Sequence, residues 1–146
     1  MSPIQNHQSQ PSSQEDTTRS QLLESLLACD RDLENILFAL NELGWDSEES
    51  LAVLNRQHII SILNRYLNKK LSSLAVENWA NAVECREDIS YEKNFETIID
   101  RIIQELANPR IYRPLSHTIA REWYDYFREL DRVYIDQRLS EHHHIS

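Results

Sequence analysis

Glycine is nearly missing from this chain: Gly44 is the only one among 146 residues. A phosphate-cradling loop, a dinucleotide fingerprint and a nucleophile elbow each need several glycines close together, because backbone there must approach a ligand or adopt positive φ. All of these are excluded. The scarcity also argues against tight hairpins, and alternating β-branched runs are missing, so the chain reads as helices joined by short polar links. Cysteine is sparse as well. Cys29 and Cys85 stand alone, with no partner at metal-ligand spacing, so neither a zinc site nor a disulfide framework is implied and a reducing compartment is expected. No run approaches the ~18 consecutive apolar residues of a membrane helix. The N-terminus has neither the basic flank nor the apolar centre of a signal peptide. The expected location is therefore the cytoplasm, with no membrane contact.

What is present is the balance of a folded chain: 40% apolar and aromatic residues against 27% charged. Residues 1–16 are mostly Ser, Gln, Asn and Pro and cannot repay the entropy of ordering, which predicts a disordered tail. A single helical domain is expected over 17–139, followed by a frayed tail over 140–146. The first helix, capped by Asp16 or Thr17, carries Leu22, Leu26, Cys29, Leu33, Ile36, Leu40 and Leu43 at alternating spacings of four and three, a heptad seam that Gly44 closes with a left-handed cap. A second helix from Asp46 or Ser47 to Lys69 and Lys70 has acids first and bases last, matching the helix dipole, and its wide apolar arc places it centrally. Ser72 or Ser73 caps a third helix anchored by Trp79 and Val83, which breaks up between Glu84 and Ser90. The fourth carries Phe95, Ile98, Ile99, Ile102, Ile103 and Leu106 and stops at Asn108, before Pro109. Ser116 caps the last helix, whose apolar arc is Ile119, Trp123, Tyr126, Phe127, Leu130, Val133 and Tyr134. The fold class is all-α, a compact bundle of about five helices.

Candidate chemistry is thin. Glu141 and His144 make one Glu-x-x-His pair, but a carboxylate-bridged metal bundle needs a second. His58 and His117 have no acid three residues upstream, so no metal is expected, and nothing points to a cofactor. Cys29 in the seam reads as a small core hydrophobe, while the acids Glu84, Glu87 and Asp88 around Cys85 disfavour a thiolate. No catalytic residue emerges, and the chain is not expected to be an enzyme.

The formal net charge is −9, drawn from the stretches Asp30 to Glu34, Asp46 to Glu49 and Glu84 to Glu92. Such a surface solubilises, and it also attracts a cationic partner. Direct nucleic-acid binding is disfavoured, since only Arg56 to Lys70 clusters cations. Leu27 and Phe38, eleven residues apart, form a second ridge opposite the heptad seam, and Tyr124 and Ile135 fall outside the main arc of the last helix. The candidate partner-binding residues are therefore Glu48, Glu49, Glu84, Glu87, Asp88 and Tyr91 on the acidic stretches, with Leu27, Phe38 and Tyr124 as apolar contacts.

The motifs LNRYL (63–67), VENWANAVECREDISYE (76–92) and IIQELANPRIYRPLS (102–116), leading into the last amphipathic helix, give the segment from Leu63 to Phe127 a resemblance. It resembles small bacterial all-helical proteins of toxin-immunity and accessory type. The resemblance implies a protein-binding role and carries no catalytic residue. Taken with the acidic charge, the expected function is that of a cytosolic immunity or inhibitor protein set against a basic partner surface. The alternative is a scaffold that pairs with a second copy through the Leu27 and Phe38 ridge.

Overall fold

In the computed structural model, residues 13–44 and 49–145 are described. Within them the chain forms α1 (Ser13–Ala28), α2 (Leu33–Glu42), β1 (Ala52–Leu54), α3 (Arg56–Leu67), α4 (Ser73–Glu84), β2 (Ile89–Tyr91), α5 (Glu96–Ala107) and α6 (His117–Ile145). The helical class holds, but the described residues contain six helices and one strand pair instead of five helices alone.

The extra helix comes from a break in the expected first one. At Cys29 the backbone turns left-handed (φ 52°), Cys29 N donates to Leu26 O and Asp30 N to Ser25 O, which is the Schellman pattern that ends a helix. Asp32 then starts α2, its carboxylate accepting from Asn35 N. The heptad seam is therefore split between two helices. α1 also begins at Ser13, so Asp16 and Thr17 lie inside the helix and not at its N-cap position. The tail expected over 1–16 lies, for residues 1–12, outside the described residues, as do Asp46, Ser47 and Glu48 at the expected start of the second helix.

That second helix is shorter than its periodicity suggests. Leu51 to Leu54 is an apolar run too short for periodicity to tell strand from helix. It pairs as β1 with β2 in parallel register, Ala52 opposite Ile89, Val53 opposite Ser90 and Leu54 opposite Tyr91. Asn55 then caps α3 in a reciprocal box, Asn55 Oδ1 accepting from His58 N and His58 Nδ1 accepting from Asn55 N. Ser72 caps α4, Ser116 caps α6, and α5 ends at Ala107 before Asn108 and Pro109, as the sequence predicts.

The core collects Leu22, Leu23, Leu26 and Leu27 of α1 with Ile36, Leu40, Leu54, Ile59, Ile62, Leu63, Trp79, Ile99, Ile103 and Phe127. α4 packs along α5, and α3 along α6. α1 touches α2, α3, α4 and β1, so it shares the central place expected of α3. Trp79 and Val83 anchor α4, and the Trp79 indole Nε1 donates to Leu26 O at 2.8 Å. On α6 the buried ridge is Ala120, Trp123 and Phe127, while Tyr126 and Val133 lie exposed at its edge. The helix continues through 140–145, the stretch expected as a tail.

Candidate functional site

α2 lies largely on the surface. It buries only Ile36 and Leu40, and Glu34, Asn35, Phe38, Asn41 and Glu42 lie exposed. Those positions recur at three and four residues, so they make one stripe along the helix. Phe38 is 67% exposed at its centre. Glu34 and Glu42 stand one turn to either side, Asp30, Arg31 and Asp32 precede the helix with one net negative charge, and α2 itself holds no Lys or Arg. Acids at the start of a helix are favoured by its dipole, whereas Glu42 at the end is not; local helix stability does not explain its presence.

Beside this stripe runs an open groove of about 310 Å³ between α2 and the end of α4, lined by Leu37, Leu40, Asn41, Gly44, Asn81, Ala82, Cys85 and Arg86. Gly44 at φ 91° turns the chain away from α2 at the groove's end. Arg86 is also part of the lining. Its guanidinium forms a bidentate pair with Asp88 (Nε to Oδ1 and Nη2 to Oδ2, both 2.8 Å), and Arg19 approaches Asp88 Oδ2 at 3.8 Å from α1. Arg19 Nη2 also donates to Leu43 O, tying the end of α2 to α1. The Arg-Glu-Asp turn is thus structural glue under the groove.

The candidate residues scatter. Phe38 sits at the centre of the acidic stripe. Glu49 and Glu87 are exposed, and Glu48 lies outside the described residues. Glu84 faces α5 and accepts from Asn108 Nδ2 at 3.3 Å. Tyr91 is half-buried, its hydroxyl pushed up to about 12 by burial, with the Asp100 and Glu84 carboxylates adding to the shift. Two assignments are corrected. Leu27 and Asp88 are 0% exposed, Leu27 in the core and Asp88 between two arginines, so neither can meet a partner. The Leu27 and Phe38 ridge does not exist, because the break at Cys29 puts the two residues on different helices. Tyr124 sits among cations, with Arg121 and Arg128 over its ring at 5.4 and 5.7 Å and Arg128 Nη1 donating to its hydroxyl. It belongs to no acidic face.

Two cations of the Arg56 to Lys70 cluster are also spent internally. Arg56 is buried, paired with Glu92 at 3.0 Å, with its guanidinium over the rings of Phe95 (4.0 Å) and Tyr134 (4.6 Å). Arg65 donates to the carbonyls of Ala28 and Cys29. Burial pushes the Cys29 thiol up, against the lowering effect of Arg65. No group of three or more metal-ligating side chains occurs among the described residues. No described helix is long and apolar enough to cross a membrane.

Sequence reasoning missed Glu42, Asn41 and the groove. The signal available for the stripe was the Glu34, Phe38, Glu42 spacing, hidden by reading the segment as part of one long seam. It missed equally the buried Glu105, whose carboxylate accepts from Arg113 Nε and Trp123 Nε1, both at 2.9 Å. An acid within the apolar run of α5 was the clue. Comparison with protein-family models, curated proteins and solved structures finds no match for this chain.

Proposed function

We propose that this chain is a non-catalytic cytosolic protein of immunity or inhibitor type that binds a basic partner surface through the α2 stripe. The observation that carries the reading is Phe38, a large aromatic side chain held 67% exposed on a helix face whose only charges are acidic. An exposed aromatic with a carboxylate one turn to either side is the arrangement of an anchor with electrostatic steering: the ring supplies contact area, the carboxylates speed encounter and reject like-charged surfaces. The net charge of −9 acts in the same sense at longer range.

The test is recovery of a partner at low salt, followed by association kinetics with variants. Reversing Glu34 and Glu42 to Lys is expected to slow association by roughly tenfold at low salt and to flatten its salt dependence. Phe38→Ala is expected to speed dissociation instead. A partner whose binding ignores salt and all three positions would overturn the reading. Asp88 is unsuitable for such a test, because its replacement would leave Arg19 and Arg86 without their buried counter-ion.

A further inference from the structure

At the far end of α4 from the groove lies a cavity of about 140 Å³ that the α2 stripe does not involve. Its floor is Val76 of α4 and Leu106 of α5, and its roof is the segment joining α5 to α6, which contributes Pro109, Pro114 and Leu115. That roof is stiff. Two prolines restrict its backbone, Ile111 N and Tyr112 N both donate to Asn108 O, and the Tyr112 hydroxyl donates to Gln104 Oε1 of α5 at 3.1 Å. The cavity is therefore built into the fold, and a ligand would not have to order its walls.

The lining also carries charge. Glu105 is buried there with Oε2 engaged by Arg113 and Trp123, and Glu77 adds a second carboxylate. Against two acids the lining holds one cation, Arg113, whose side chain is 44% exposed. The lining thus combines apolar side chains with carboxylates in net excess of one negative charge. A space of this size accepts a molecule near the dimensions of benzene.

We propose that this cavity binds a small organic ammonium or amidinium compound, with its compact apolar body between Val76, Leu106 and Leu115 and its cationic head at Glu77 and Glu105. The head completes the charge balance that Arg113 alone leaves short. The site is independent of the α2 stripe, so either can fail without the other.

The experiment uses the full chain labelled with 15N and follows the Trp123 indole N–H signal, identified by its loss in Trp123→Phe, because that N–H donates to Glu105. Benzylammonium is expected to shift the signal saturably at about millimolar concentration. Benzyl alcohol, of the same shape without the charge, is expected to bind roughly tenfold more weakly, and benzoate not at all. Glu77→Gln, at a half-buried position outside the core, is expected to weaken benzylammonium by roughly tenfold. No saturable shift with benzylammonium, equal binding of benzoate, or indifference to Glu77→Gln would each overturn the proposal.

Discussion

Arg19, Arg56, Asp88 and Glu105 are charged residues buried among the described ones, and each has an opposite charge beside it. Removing one partner of such a pair strands a buried charge, which costs more than the pair contributes. The Arg56 and Glu92 pair makes this visible in pH. Burial works against the Glu92 charge, yet the hydrogen bonds from the Arg56 side chain and backbone, with its charge, hold the carboxyl below its ordinary 4.5. Its folded pKa is thus depressed, so the pair contributes fully above about pH 4.5 and is lost as pH falls through the lower, folded value. Glu92→Gln is expected to lower the unfolding midpoint at pH 7 and to flatten its decline below pH 4.5, measured by thermal melts across pH.

His58 behaves in the same direction for another reason. Burial pushes it below its ordinary 6.5, against the raising influence of Glu24 and Glu92. Its Nδ1 accepts the Asn55 N–H, which only the unprotonated atom can do. The unfolded chain therefore takes up the proton first, and stability falls as pH drops below about 6.5. His58→Gln is expected to remove this slope between pH 7 and 5.5, and a melt series in which the slope survives would refute the account.

At the scale of elements, the break between α1 and α2 is the clearest case of packing overruling pattern. The heptad spacing from Leu22 to Leu43 is uninterrupted, and no glycine or proline marks a stop. The stop is made by Arg65 of α3, whose guanidinium donates to Ala28 O at 2.6 Å and to Cys29 O at 2.9 Å, satisfying carbonyls that a helix end leaves free. Arg65→Ala is expected to cost about 1–3 kcal/mol in denaturant unfolding. The same Schellman pattern ends α3, where Lys69 sits at φ 64° with Lys70 N donating to Arg65 O. Lys69 is exposed, so Lys69→Gly removes the left-handed penalty without losing packing and is expected to stabilise by about 1 kcal/mol. By contrast, the caps at Ser72 and Ser116 and the stop before Pro109 were legible, because each is settled by residues within a few positions.

At the scale of the molecule, the buried core of the described residues runs from Leu22 to Phe127, and the α6 side chains from Ile135 to Leu139 are all exposed. The stretch 135–139 of α6 thus adds length without core. Ile135→Ala and Leu139→Ala are each expected to leave the unfolding midpoint within about 1 °C of the unaltered chain, checked by circular dichroism, since neither removes a buried side chain. The α2 stripe and the amine cavity lie at opposite ends of α4, so occupation of one is not expected to change the other's contacts.

The sequence by itself determined the helical class, the outlines of α4 and α5, the start of α6 and the excess of acid, because periodicity, caps and charge are local properties of neighbouring residues. Only the tertiary structure decided where the first seam breaks, that Ala52 to Leu54 pairs with Ile89 to Tyr91, which acids are buried and which face carries Phe38. Those outcomes depend on partners far along the chain: Arg65 lies 36 residues from Cys29, and Arg56 36 residues from Glu92. No window on the sequence holds both members of such a pair, and the energy that settles each position is shared between them.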